Sequence, residues 1–458
     1  MKERQKVPLA AGVYLLIAIA LCGVRPLWLD EILQLIDTRD GSPAEIIGRL
    51  PANHPGGAPL GYLTQKAVLA VTGYSLRAAR LPSAIFAAAA VFVVCLLAAE
   101  LGVRRSWLAS ILFAAFPLTL RYATEGRMYA EALLFATVAT LLYLKLARRQ
   151  TWGIAAAYAL TLTAAAYTQP YSASVGAAHV LWSAGMRERR TALLGGTALA
   201  VTVGAFLPWY LWSREAWSAA AAAYEFQFSL RTPLMIFREM TGAGYWGSGL
   251  LLILCVLGVM GGSNRRREHW FLLLMFVVPV AAALIANALF GYFIATRQYL
   301  WVLPALAVFA AGAVERNGRL GTMLGVLLIA VCLVQNARYF KGPQEDWETA
   351  AHAISRHVKC YGACVAVVPP AGLRLYQFFQ PELGRSTCDP AEVVLVVTPY
   401  TRAEDRAREV VRWTAEGYRN VNEVQVGGSL LLRFHRCPQV REDPQSGNQC
   451  SWIRMSLK

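Results

Sequence analysis

Charge is scarce in this sequence. Of 458 residues only 16% are charged, with 28 acidic against 44 basic, where soluble domains carry about a quarter charged residues. The scarcity is regional. Blocks of roughly 16–22 residues hold almost no charge, the length a helix needs to cross about 30 Å of hydrocarbon. Segments alternating apolar and polar residues are missing, which excludes a transmembrane barrel and leaves helices as the spanning structure. Histidine is rare, at 6 residues. Neither a His nor a second Cys pair at matching spacing accompanies Cys360-x-x-x-Cys364, so a zinc site there is a weak reading. No nucleic-acid-binding motif accompanies the net charge of +16, and nucleic acid is excluded as a partner. Much of the Lys and Arg sits instead in short loops between apolar blocks, as the positive-inside rule requires.

The first block, residues 7–27, follows Lys2, Arg4 and Lys6. No small-x-small cleavage site stands out, so an uncleaved helix with a cytoplasmic N-terminus is expected rather than a signal peptide. Further spans are expected at 81–99, 107–120, 130–144, 153–168, 171–186, 192–212, 247–262, 270–288, 299–314 and 320–335, making about eleven. Arg104 and Arg105, Lys145 with Arg148 and Arg149, Arg187 with Arg189 and Arg190, Arg265 to Arg267, and Arg316 with Arg319 then share the side of the N-terminus, which is therefore cytoplasmic. The weaker apolar stretch 60–71, broken by Gln65 and Lys66, would invert this alternation as a span. It is expected to lie in the interface, its long polar side chains reaching the head groups.

These blocks define an all-α polytopic module over residues 1–340, with 28–80 as its first outward loop. From about residue 341 the chain turns polar. Helical patterns at 345–357 and 403–416 and short apolar runs at 363–368, 393–397 and 430–434 predict a small α/β domain over 341–458, ending in an irregular tail. An odd number of spans from a cytoplasmic start puts this domain outside. Of nine cysteines, Cys22, Cys95, Cys255 and Cys332 fall in or beside spans as small hydrophobes. Cys360, Cys364, Cys388, Cys437 and Cys450 fall in the tail, where disulfides of unreadable connectivity suit an oxidising compartment.

Chemistry concentrates in two short stretches. Leu27-Trp28-Leu29-Asp30-Glu31 places adjacent carboxylates directly after a span. Such groups are costly at a membrane edge unless they pair, bind metal or face a wet cavity; a favourable helix start is the simpler reading. The next outward loop carries Tyr122-Ala123-Thr124-Glu125-Gly126-Arg127-Met128-Tyr129, where Glu125 and Arg127 read either as an ordinary ion pair or as a second part of one site.

The two stretches together resemble the GT-C superfamily. The branch is that of the bacterial dolichyl-phosphate-mannose-protein mannosyltransferase-like proteins, which also holds the lipid A aminoarabinose transferase and the rhizobial lipopolysaccharide galacturonosyltransferases. Ala79-Arg80-Leu81-Pro82-Ser83-Ala84, Arg297-Gln298-Tyr299-Leu300-Trp301-Val302-Leu303-Pro304 and Asp346-Trp347-Glu348 are similar to further stretches of that family, so the resemblance covers nearly the whole chain. One stretch departs. The family commonly shows two adjacent prolines followed by Leu-Tyr-Tyr, often after a His. Here the prolines of His54-Pro55-Gly56-Gly57-Ala58-Pro59-Leu60-Gly61-Tyr62 are separated, and Gly61 replaces a Tyr.

The resemblance implies an enzyme of the bacterial inner membrane that transfers a sugar, with inversion, from a polyprenyl-phosphate donor to an extracytoplasmic acceptor: lipid, glycan or protein. Asp30 would be the general base, with Glu31 and Glu125 as further catalytic carboxylates. Lys66, Arg231, Arg238 and Arg297 would stabilise the phosphate leaving group. His54, Tyr62, Arg127 and Tyr129, from the same motifs, would contact substrate. Glu31, Glu125 and His54 are the expected ligands of a divalent metal, should one take part. The rival reading is a transporter or flippase of lipid-linked sugars. The near absence of ionisable groups within the spans and of an inverted repeat weighs against it.

Overall fold

Every apolar block forms a helix in the computed structural model, which describes residues 3–221, 228–229, 231–260, 266–291, 294–342, 345–385 and 388–436. The chain divides into two compact units: Met1–Arg25 with Leu29–Pro343, and Pro26–Trp28 with Gln344–Lys458.

In the first unit the helices are α1 (Glu3–Leu21), α2 (Leu29–Thr38), α3 (Pro43–Asn53), α4 (Pro59–Thr72), α5 (Leu76–Glu100), α6 (Trp107–Ala115), α7 (Pro117–Ala123) and α8 (Tyr129–Arg149). They continue with α9 (Trp152–Thr168), α10 (Ser174–Gly185), α11 (Arg189–Ala221), α12 (Arg231–Glu239), α13 (Gly244–Met260), α14 (Arg266–Phe290), α15 (Leu303–Arg316) and α16 (Gly318–Lys341). Among the described residues, five helices are long and apolar enough to cross a membrane, or six if the bent pair α12–α13 counts as one span. The other apolar blocks form shorter helices. The single expected span over 107–120 is broken into α6 and α7, because Pro117 cannot continue the hydrogen-bond ladder of α6.

Burial sorts these helices. α15 is apolar all round and buried from Leu303 to Val314, as a central helix must be. α5 packs against α1, α6 and α8, α8 against α9, and α9 against α11. By contrast α11, α14 and α16 bury only 28% of their apolar windows. Leu193, Val201, Ile285, Leu289, Met323 and Val326 are exposed along them, an apolar surface that water would penalise and lipid would not.

The region between α1 and α5, the loop in which interfacial helices were expected, holds α2, α3 and α4. α3 starts in a capping box, Ser42 accepting from the Glu45 N–H and Glu45 accepting from the Ser42 N–H. α4 has 14 residues, about 21 Å at 1.5 Å per residue, too short for a span. Its Gly61 answers to packing: a Cβ there would stand 2.3 Å from the Cβ of Met128.

The second unit has α17 (Trp347–Tyr361), β1 (Ala363–Val368), α18 (Leu373–Gln377), β2 (Asp389–Val397), α19 (Ala403–Ala415), β3 (Tyr418–Val426) and β4 (Ser429–Arg436). The sheet order is β1-β2-β4-β3, with β1 and β2 parallel and the other pairs antiparallel. Val393, Leu395 and Val397 pack with Val410 and Trp413 of α19. The alternate residues Val394 and Val396 are buried as well, so both faces of β2 are covered. β3 escapes the sequence reading because it is an edge strand whose side chains are mostly exposed and polar. Cys364 forms a disulfide with Cys388 and Cys360 is free, which corrects the zinc reading of that pair. Cys437 and Cys450 lie outside the described residues.

Candidate active site

α2 opens with Asp30 and Glu31 in its first turn, where the positive end of the helix dipole favours carboxylates. The two side chains then diverge. Glu31 is fully buried and is clamped by Arg80: Arg80 Nε and Nη2 donate to its two oxygens at 2.7 and 2.6 Å, and the Gly126 N–H donates to Oε1 at 2.5 Å. Arg80 Nη1 spans on to the carbonyls of Cys22 and Arg25, both at 2.7 Å. The pair thus ties α1, α2, α5 and the 124–128 loop together. Gln65 adds to this joint, accepting from Gln34 and Thr38 and donating to the carbonyls of Ala79 and Gly126.

Asp30 faces a cavity of about 460 Å³, within the size range of small-ligand sites. Arg297, from the short turn Thr296–Gln298, reaches Asp30 at 3.6 Å. This is longer than the 2.7–2.9 Å or so of a tight charge-assisted bond. Arg127 donates to the Asp30 carbonyl at 3.0 Å and to Gln34 at 3.1 Å, and its guanidinium lies 5.7 Å from the Tyr129 ring centre. His54 and Tyr62 line the same cavity, their rings 4.9 Å apart.

The structure adds residues that the sequence reading did not single out. Asp37 lies two turns along α2 from Asp30, on the same face. It binds His54 Nε2 at 3.0 Å and accepts from Asn53 at 2.9 and 3.1 Å. Burial alone would raise the Asp37 pKa, but the bonds from His54 and Asn53 outweigh it and hold the carboxyl below its ordinary value. Burial lowers His54, against the pull of Asp37, so the imidazole is held neutral over more of the pH range. The seven-residue spacing of the two aspartates on a short amphipathic helix was the available signal. Gln169, Tyr171 and Trp217, which belong to no motif, complete the wall with Gln298, the neighbour of Arg297; only tertiary packing gathers them. Four buried polar atoms at the cavity, Tyr62 Oη, Arg127 Nε, Gln169 Oε1 and Trp217 Nε1, have no hydrogen-bond partner among the described residues. Such orphans are uncommon and mark strain, water or a polar ligand. On one side the lining passes to Ala282, Ala286 and Phe290 of α14, beside the exposed Ile285 and Leu289.

Several expected site residues lie elsewhere. Glu125 is bound by Arg121 at 2.7 Å and by the Tyr339 hydroxyl at 3.1 Å and does not line the cavity. Lys66 donates to the Arg39 carbonyl at 3.2 Å. Arg238 is exposed and pairs with Glu239, and Arg231 is exposed at the start of α12. The trio Glu31, Glu125 and His54 is not assembled as metal ligands: each is committed to a different partner, and no cluster of three His, Cys, Asp or Glu suited to a metal occurs among the described residues. The amphipathic loop 213–245, with Tyr224, Phe226, Phe228, Arg231 and Arg238, reads from its sequence either as a flank of a lipid entrance or as a structural interfacial helix; Tyr224 and Phe226 lie outside the described residues.

The chain is similar over 93% of its length to the crystal structure of ArnT from Cupriavidus metallidurans in the apo state, with a TM-score of 0.60, 13% identity and 97% of that chain covered. The structure of the same ArnT bound to undecaprenyl phosphate aligns with a TM-score of 0.55 at 12% identity, covering 93% of this chain and 97% of that one. The chain therefore has the GT-C fold. No protein-family profile and no curated protein sequence matches it.

Proposed function

We propose that this protein is a glycosyltransferase of the bacterial inner membrane that uses a polyprenyl-phosphate-linked sugar as donor and an extracytoplasmic hydroxyl on a lipid, glycan or protein as acceptor. The observation that carries the reading is the convergence of Asp30, Arg127 and Arg297 on a cavity that also holds four buried polar atoms without a partner among the described residues. An amphiphilic donor fits its two-sided character. The phosphate would lie toward the arginines, and the prenyl chain would follow the apolar flank of α14. The undecaprenyl phosphate bound by the similar ArnT structure supports a donor of this class.

In this reading the Asp30 carboxylate takes the proton of the acceptor hydroxyl as its oxygen attacks the anomeric carbon. The bond from that carbon to the phosphate oxygen breaks on the opposite face, and polyprenyl phosphate leaves with the electron pair. The long Asp30–Arg297 contact leaves the guanidinium able to shift onto the leaving phosphate, whose growing charge it would stabilise. His54, whose neutral form burial favours and whose ring Asp37 orients, is a second base at the same cavity.

Release of polyprenyl phosphate from a panel of lipid-linked sugars tests this, using wild type, Asp30→Asn and His54→Gln with a membrane-extract acceptor. The expected result is turnover by the wild type and a loss of about 10²–10⁴-fold in Asp30→Asn. Loss confined to His54→Gln would move the base to the Asp37–His54 pair. Movement of lipid-linked sugar across proteoliposomes without bond cleavage would replace the transferase by the flippase reading.

A further inference from the structure

A second cavity, of about 1120 Å³, lies where the turn between α5 and α6 meets the turn between α15 and α16. Arg104, Arg105, Arg316 and Arg319 line it, with Glu315 as the carboxylate among the lining residues. In the sequence these arginines are topology signals in loops about two hundred residues apart; the fold brings them to one concavity. The Arg105 backbone N–H donates to Glu315 at 3.0 Å, which fixes the two turns together. Arg316 donates to the Gly258 carbonyl at 2.9 Å and is half-buried, while Arg104, Arg105 and Arg319 are exposed. The 24-residue helix α16 begins at Gly318 in the same lining, which adds the positive end of a helix dipole.

The surface beside this cavity is apolar. Leu320, Met323 and Leu327 are 48%, 60% and 47% exposed and form one stripe along α16; Met323 itself lines the cavity. A concentration of guanidinium groups opening onto an exposed aliphatic stripe matches a molecule with a phosphate head and acyl chains. We propose that this cavity binds the head group of an anionic phospholipid, with its chains along α16. The site is separate from the Asp30 cavity and does not depend on the reaction performed there. A free phosphate would satisfy the arginines but leave the stripe unused.

Native mass spectrometry of the full-length protein in mild detergent tests this with phosphatidylglycerol and phosphatidylcholine as probes. The wild type is expected to favour phosphatidylglycerol by at least about tenfold, and R104Q/R105Q/R319Q to lose that preference, since a basic residue near an anionic head group contributes about tenfold or less in affinity. R187Q/R189Q/R190Q, which removes the same charge from another basic loop, is expected to keep it. Should the triple variant fail to fold, R104Q and R319Q singly carry the test, each lowering the preference severalfold. Equal retention of both lipids by the wild type, or equal loss in the R187Q/R189Q/R190Q control, would overturn the proposal. Displacement of phosphatidylglycerol by inorganic phosphate at comparable concentration would overturn it in favour of a free-anion site.

Discussion

Asp30 and Glu31 are neighbours on the first turn of α2 whose surroundings give them different work. Glu31 is locked by Arg80 on both oxygens with no exposed surface, while Asp30 faces the cavity. Removing one partner of a buried pair strands the other charge, at a cost of about 3–5 kcal/mol. Glu31→Gln is therefore expected to lower the thermal unfolding temperature markedly, and Asp30→Asn to leave it nearly unchanged. A Glu31→Gln protein of wild-type stability but without activity would put Glu31 back in the chemistry. Asp37 and His54 carry a pH dependence at the same scale. Unfolded, His54 takes a proton near pH 6.5; folded, burial holds it below that value. Its contribution to stability is thus lost as pH falls from about 6.5. Asp37, also held below its ordinary value, contributes above the unfolded carboxylate range and loses that contribution at still lower pH. The drop in unfolding temperature between pH 7.5 and 5.5 should shrink in His54→Gln; an unaltered drop would show that this imidazole does not contribute to it.

At the scale of elements, the site depends on how closely α4 approaches the loop that carries Arg127. Gly61 makes that approach possible, since a Cβ there would collide with Met128. Gly126 sits in a similar position, where a Cβ would meet the Ala79 carbonyl at 3.0 Å and Glu31 at 3.3 Å. Gly61→Leu is expected to push Met128 outward and move Arg127 and Tyr129 with it. The result would be a fall in transfer of about a hundredfold, in line with what a misplacement of about 1 Å costs, larger than for Gly61→Ala. Equal activity in the two variants would mean that the loop yields without moving Arg127. The same contact explains the departure from the family pattern: a Tyr at this position has no room beside Met128. Lys66 donates to the Arg39 carbonyl and does not line the cavity.

At the scale of the whole molecule, the distribution of Lys and Arg predicts a cytoplasmic N-terminus and an external second unit. Cys360 offers a direct check, being an exposed free thiol in that unit, whereas Cys22, Cys95 and Cys332 are buried. A membrane-impermeant maleimide is expected to label intact spheroplasts, with the signal reduced in Cys360→Ser. Labelling of Cys360 only after lysis would reverse the topology.

The sequence by itself determined the helical architecture, because apolar blocks of spanning length have no other way to satisfy their backbone in lipid. It also marked Asp30, His54, Tyr62, Arg127, Tyr129 and Arg297, which lie in four separate stretches of the sequence and which the fold then gathers at one cavity. Tertiary structure decided the rest. Whether a carboxylate is a strut or faces a cavity depends on what packs against it: Arg80, which clamps Glu31, lies 49 residues away, and Glu125 takes Arg121 from its own turn and the Tyr339 hydroxyl from 214 residues on. The Asp37–His54 pair forms where the consecutive helices α2 and α3 fold back on each other, and the wall formed by Gln169, Tyr171 and Trp217 and the arginine cavity at α16 arise from contacts between segments remote in the chain. Local pattern reports which face of a helix is apolar; it carries no record of what the opposite face will meet.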